Sequence, residues 1–158
     1  DDFIDKDISM REYLTEIILS FKEISEKKFF LNFDQDSNAK KITKSIEIIY
    51  GLRNFIGNAN KYSTNKIFIT LKSDNEFTEV IIEDDGTGYP NDIISKIGEP
   101  YLRSDSQIYK DKSGLGLGIF IGKTLLEKNF AIINCKNSQT RSGAEVVIKW
   151  KNSDLTKI

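Results

Sequence analysis

Val80-Ile81-Ile82-Glu83-Asp84-Asp85-Gly86-Thr87-Gly88 decides the reading of this chain. A short apolar run fit for a core strand ends abruptly in carboxylates and glycines. An acidic side chain at the end of a core strand is costly unless a donor meets it. Gly86 and Gly88 remove side chains and permit unusual backbone angles. Together they let a flat ligand reach the backbone while Asp84 accepts from it. An ordinary Asp-Gly turn remains the simpler alternative.

Working outward, Phe77–Glu83 and Ile67–Leu71 read as two strands around a turn at Ser73–Glu76. Before them, the spacing predicts a helix from about Thr43 to Tyr62. Ile48, Ile49, Leu52, Phe55, Ile56 and Ala59 fall on one arc, which should pack on a sheet. Asn54, Asn58 and Lys61 fall on the other side, with Tyr62 near their edge. Solvation explains a lysine there. It explains two asparagines less well, since Asn is a poor interior helix former. Their side-chain amides suit a cation or phosphate. Further upstream, helical spacing from Ile8 to Ile24 predicts a helix over roughly 8–26, followed by a strand at Phe29–Phe33 and a polar loop at Gln35–Lys41.

Downstream, residues 91–97 read as one helical turn and Glu99–Ser113 as a polar loop. Gly114-Leu115-Gly116-Leu117-Gly118 opens a third helix, expected from Leu115 to Lys128. Free N–H groups and the dipole at a helix start favour phosphate. Close helix–sheet packing is the other reason for such glycines. Two familiar phosphate loops fail here. Gly118–Thr124 is one residue short of a Walker A loop, with Leu117 where its first Gly belongs. A dinucleotide fingerprint fails because Ile119 and Ile121 occupy its third Gly position. Phe130–Cys135 and Ala144–Trp150 close the chain as a strand pair. The expected architecture is α/β, a two-layer sandwich: a mixed, mainly antiparallel sheet of about five strands with three helices on one face.

Length and composition narrow the function. The 158 residues suit one domain, 1–158, and 39% apolar with 30% charged residues is an ordinary globular balance. A net charge of −1 implies no basic field for nucleic acid. No apolar run is long enough to span a bilayer. The chain has no histidine, which removes His triads and any phosphoacceptor histidine within it. The single cysteine, Cys135, sits in an apolar strand pattern and reads as packing rather than a redox sensor. The chain opens on Asp1, so a piece of a longer protein is expected.

Taken in order, these segments resemble the histidine kinase branch of the GHKL ATPases, whose ATP-binding fold is the Bergerat fold. Asn54–Ser63 resembles the N box, Asp84-x-Gly86-x-Gly88 the G1 box, and Ile97–Arg103 the F box. Gly114-x-Gly116-x-Gly118 resembles the G2 box, and Gly143-Ala144-Glu145 a final strand start. The stretch around Gly98–Tyr101 and Leu115–Glu127 looks most like sensor kinases of the RegB/PrrB type. The resemblance implies Asn58 as the Mg²⁺ ligand, Asn54 beside phosphate or metal-bound water, Lys61 on phosphate and Tyr62 along the nucleotide. It implies Asp84 as acceptor for the adenine amino group, with Gly86 and Gly88 as the floor under the base. Gly114, Leu115, Gly116, Leu117 and Gly118 would present N–H groups to the phosphates. Arg103, Lys110 and Lys112 belong to a lid and could reach the γ-phosphate. Asn58, Lys61 and Arg103 are thus the expected catalytic set.

One position departs: the F box usually carries Phe where this chain has Gly98. Hydrolysing members typically carry Glu at the position of Asn54, so transfer to another protein is expected over hydrolysis. The implied substrates are ATP with Mg²⁺ and a histidine on a dimerisation hairpin of the same full-length protein. A response regulator, a homodimer, a cytoplasmic place for this domain and an inner-membrane anchor for the whole protein are implied with it. An anti-sigma type serine kinase and a non-catalytic nucleotide sensor remain alternatives.

Overall fold

The computed structural model describes residues 7–34, 41–43, 45–102, 104 and 117–155. Its main sheet has five strands: β2 (Lys28–Phe33), β4 (Lys66–Ser73), β5 (Phe77–Asp84), β6 (Ile132–Asn137) and β7 (Ala144–Lys151). Their order is β2-β4-β5-β7-β6. Only β2 and β4 pair in parallel; the other neighbours are antiparallel. A parallel pair needs a crossover, and α2 (Ile46–Tyr62) lies between β2 and β4 in the chain. The helices α1 (Met10–Lys22), α2 and α3 (Gly118–Lys128) complete the second layer, and α4 (Asn152–Leu155) follows β7. The expected mixed sandwich is therefore observed.

Strand periodicity explains the one-sided core. Ile67, Ile69 and Leu71 on β4, Val80 and Ile82 on β5, and Val146, Ile148 and Trp150 on β7 are buried. They join Tyr13, Leu14 and Ile17 of α1 and Ile48, Leu52, Phe55 and Ile56 of α2 in one cluster. The intervening strand residues face outward. There Phe30 stacks on Phe68 at 5.1 Å, and the Arg141 guanidinium lies 3.8 Å over the Phe68 ring.

Local chemistry sets the helix starts. Ser9 and Glu12 form a reciprocal capping box at α1. Ser45 Oγ accepts from Ile48 N to cap α2, and Ser45 N donates to the buried Tyr13 hydroxyl at 2.5 Å. These caps place α1 at Met10 and α2 at Ile46, later than periodicity suggested. The residues just before them form a two-stranded antiparallel ribbon, β1 (Asp7–Ser9) with β3 (Lys41–Thr43), which sequence patterning missed. The closing strand starts at Ile132 rather than Phe130. Phe130 has φ 73°, and Ala131 N returns to Leu126 O at 3.0 Å, so a helix-ending turn occupies those residues.

Candidate functional site

Asp84 is the last residue of β5 and is 3% exposed. Its Oδ1 accepts from Gly86 N at 2.9 Å and Ala144 N at 3.3 Å. Burial raises its carboxyl above the ordinary aspartate range, and these two N–H donors pull it back in part. Both described bonds use Oδ1, so Oδ2 is the oxygen that remains for a ligand. Close glycines make this possible. A Cβ on Gly143 would lie 2.1 Å from Asp84 Oδ1, and one on Gly86 2.2 Å from the Tyr62 carbonyl oxygen.

Gly88 has φ +80°, where glycine is favoured. The Asn137 amide of β6 brackets the next peptide: Oδ1 accepts from Tyr89 N at 2.7 Å and Nδ2 donates to Tyr89 O at 3.2 Å. Asp85 secures the other side. Its Oδ1 accepts from the N–H groups of Thr64, Asn65 and Lys66 at 2.9–3.0 Å. Partial burial raises the Asp85 carboxyl, but these donors outweigh it and hold it below the ordinary range. Asp85 and Asn137 were not singled out from the sequence. Their partners lie 19–21 and 48 residues away, and neither pairing leaves a local pattern.

The polar face of α2 runs from this turn toward α3. Ile48, Leu52, Phe55, Ile56 and Ala59 of the predicted arc are buried and Ile49 is half-buried against the core, while Asn54 and Asn58 are half-buried and Lys61 is exposed. Lys61 Nζ lies 5.4 Å from the Tyr62 ring centroid. Asn54 Nδ2 donates to Tyr50 O at 2.8 Å, and its Oδ1 lies 3.9 Å from where a Gly118 Cβ would stand. Thus Tyr62 abuts the Asp84–Gly86 turn, and Asn54 abuts the start of α3. The two ends are about 12 Å apart along the helix axis.

α3 begins at Gly118, with Leu117 as its N-cap residue. Gly122 packs inside the α2–α3 contact: a Cβ there would lie 3.0 Å from Asn54 Cβ and 3.1 Å from the Phe55 ring. Gly51 meets Leu126 in the same seam. Gly122 therefore serves helix packing. Gly114, Leu115, Gly116, Arg103, Lys110 and Lys112 lie outside the described residues.

The departure at Gly98 has a physical reason. Its φ is +103°, and a Cβ there would lie 2.6 Å from Lys123 Cδ, so a phenylalanine would be strained and crowded. Ser104 Oγ instead ties this region to Asp92, donating at 2.9 Å. Among the described residues, no cluster of three or more His, Cys, Asp or Glu could hold a metal. Mg²⁺ does not require one: it takes hard oxygen donors, keeps several waters and commonly shares substrate phosphates. The amide oxygens of Asn54 and Asn58 are such donors. Cys135 is half-buried, and burial pushes its thiol up to about 11. No described helix is long and apolar enough to cross a membrane.

Residues 43–154 match the family described as "Histidine kinase-, DNA gyrase B-, and HSP90-like ATPase". The chain is 35% identical over 130 residues to "Sensor histidine kinase RegB" of Cereibacter sphaeroides, covering 73% of this chain and 28% of that protein. It thus spans little more than a quarter of that relative's length. The catalytic domain of histidine kinase ThkA superposes with a TM-score of 0.75 at 20% identity, over 93% of this chain and 97% of that one. Full-length ShkA in complex with AMPPNP gives a TM-score of 0.75 at 17% identity, over 92% of this chain and 30% of that one. At those identities the structural likeness concerns the fold.

Proposed function

The chain belongs to the family of histidine kinase-, DNA gyrase B- and HSP90-like ATPases, and on that premise we propose that it binds Mg-ATP and passes the γ-phosphoryl group to a histidine. That histidine belongs to a helical dimerisation hairpin of the same full-length protein. The observation that carries the reading is the buried Asp84 acceptor at one end of the α2 polar face, with Asn54 and the start of α3 at the other.

Adenine lies at the Asp84 end. Its amino group donates to the carboxylate, and guanine, with a carbonyl there, meets a like acceptor. Gly86 and Gly88 form the floor, and Tyr62 lines the nucleotide. The phosphates run along the α2 polar face past Asn58 toward Asn54, about 12 Å from Tyr62 along the axis, and the long Lys61 side chain reaches toward them. The family motif assigns the N–H groups from Gly114 to Gly118 to the same phosphates. Asn58 would hold Mg²⁺, which would neutralise phosphate charge. Lys61 and Arg103 add positive charge at the transferring group. The P–O bond to the β-phosphate breaks, a P–N bond to imidazole forms, and ADP leaves. Catalysis rests on positioning and charge neutralisation. Asn54 cannot take a proton from water, which disfavours hydrolysis. A response regulator receives the phosphoryl group next, and the full-length protein works as a membrane-anchored homodimer with this domain on the cytoplasmic side.

The test supplies Mg-ATP and the histidine hairpin to this chain. Acid-labile, base-stable phosphate on the hairpin is expected, with none on the chain alone. Binding without transfer would favour a nucleotide sensor, and acid-stable phosphate on serine an anti-sigma type kinase.

A further inference from the structure

Two charged side chains from distant parts of the sequence hold the end of α2 and its link into β4. Asp85 takes the N–H groups of Thr64, Asn65 and Lys66. Lys27, in the connection between α1 and β2, takes the carbonyls. Its Nζ donates to Asn60 O at 2.5 Å and to Ser63 O at 2.7 Å. Ser25 steadies this contact: its Oγ donates to Asn60 Oδ1 at 2.6 Å and accepts from Lys27 N at 3.1 Å. A helix C-terminus leaves carbonyls without intrahelical partners, and a cation there is favourable.

The Tyr62 carbonyl lies between the two that Lys27 holds, and it is the atom a Gly86 Cβ would strike. The last turn of α2 and the Asp84–Gly86 turn are therefore seated against each other, with Lys27 fixing the α2 side. We propose that Lys27 is a positioning residue of the nucleotide site, acting through the α2 backbone and its charge to keep Asp84 placed as an acceptor. Its charge matters because Asp84 is buried. Burial raises the Asp84 carboxyl, Gly86 N and Ala144 N lower it, Asp85 raises it, and Lys27 lowers it. Asp85 and Lys27 are the charged groups acting on Asp84 among the described residues.

This inference rests on the nucleotide reading above. The test measures Mg-ADP affinity of the 158-residue chain from acid to neutral pH for wild type, Lys27→Met and Lys27→Arg. Lys27→Met should lose about tenfold in affinity at neutral pH, on the scale of one charge-assisted hydrogen bond. Its acid limb should move to higher pH, because Asp84 then protonates more readily. Lys27→Arg, which keeps the charge and has donors enough for both carbonyls, should restore both within about twofold. If Lys27→Met does not fold, Lys27→Gln, neutral but still with an NH₂ donor group, carries the same comparison. Wild-type affinity and an unmoved limb in the neutral variant overturn the inference. So does a loss that follows thermal stability alone, without a shifted limb or Arg rescue. A wild-type chain that binds no nucleotide overturns the inference and the function together; an indifferent Lys27 variant on a binding wild type overturns only the former.

Discussion

Replacing Asp84 with asparagine should move stability and binding in opposite directions. Asn is nearly isosteric, and its Oδ1 can still accept from Gly86 N and Ala144 N, the two bonds made now. The charge is lost. Burial raises the Asp84 carboxyl in the folded chain, so the folded state binds that proton more tightly than the unfolded one. Its contribution to stability is then fullest below the ordinary aspartate range and is lost as pH rises through the raised value. At neutral pH the ionised group is a net cost, so Asp84→Asn should melt higher at pH 7, with the gap closing toward acid pH. Binding should fall. A hydrogen bond to a charged acceptor contributes about 1.5–3 kcal/mol, which corresponds to roughly 10- to 150-fold in the Kd for ADP. Discrimination against GDP should shrink too, because an amide can turn its NH₂ to the guanine carbonyl. Calorimetry and thermal melts across pH check all three. Wild-type ADP affinity in Asp84→Asn, or a lower melting temperature at pH 7, would refute the reasoning.

Asp85→Ala orphans three backbone N–H groups and should cost about 2 kcal/mol after allowance for solvent screening, read as a lower urea midpoint. Because the Asp85 carboxyl is held low, its contribution is present above the ordinary aspartate range and lost as pH falls through the lowered value, so the wild type–variant gap should narrow in acid. Gly51→Val drives a side chain into Leu126, whose Cγ would lie 2.5 Å from the new Cβ. A loss of about 1–3 kcal/mol is expected, with weaker nucleotide binding as the α2–α3 seam opens beside Asn54. Cys135, with its thiol near 11, should react slowly with thiol reagents at neutral pH and speed up on unfolding. Fast labelling of the native chain would contradict its packing role.

Strong periodicities were legible in the sequence. The two strands at Ile67–Leu71 and Phe77–Glu83 and the two faces of α2 depend on residue spacing, and both reappear in the structure. Asp84 was legible because a carboxylate ending an apolar strand needs an explanation. The β1–β3 ribbon was not, since three-residue strands leave too short a pattern. Nor was the turn at Phe130, where the preceding helix imposes a positive φ on an aromatic residue. The supporting residues of the site escaped for a different reason. Lys27, Asp85 and Asn137 act through backbone groups, and backbone groups carry no residue-type pattern.

Titration of the chain with ATP and with GTP, each with and without Mg²⁺, tests the central claim most directly. One ATP per chain is expected, bound more tightly with Mg²⁺ and well ahead of GTP. Absence of ATP binding, or equal affinity for GTP, would contradict the account of Asp84 as the adenine acceptor.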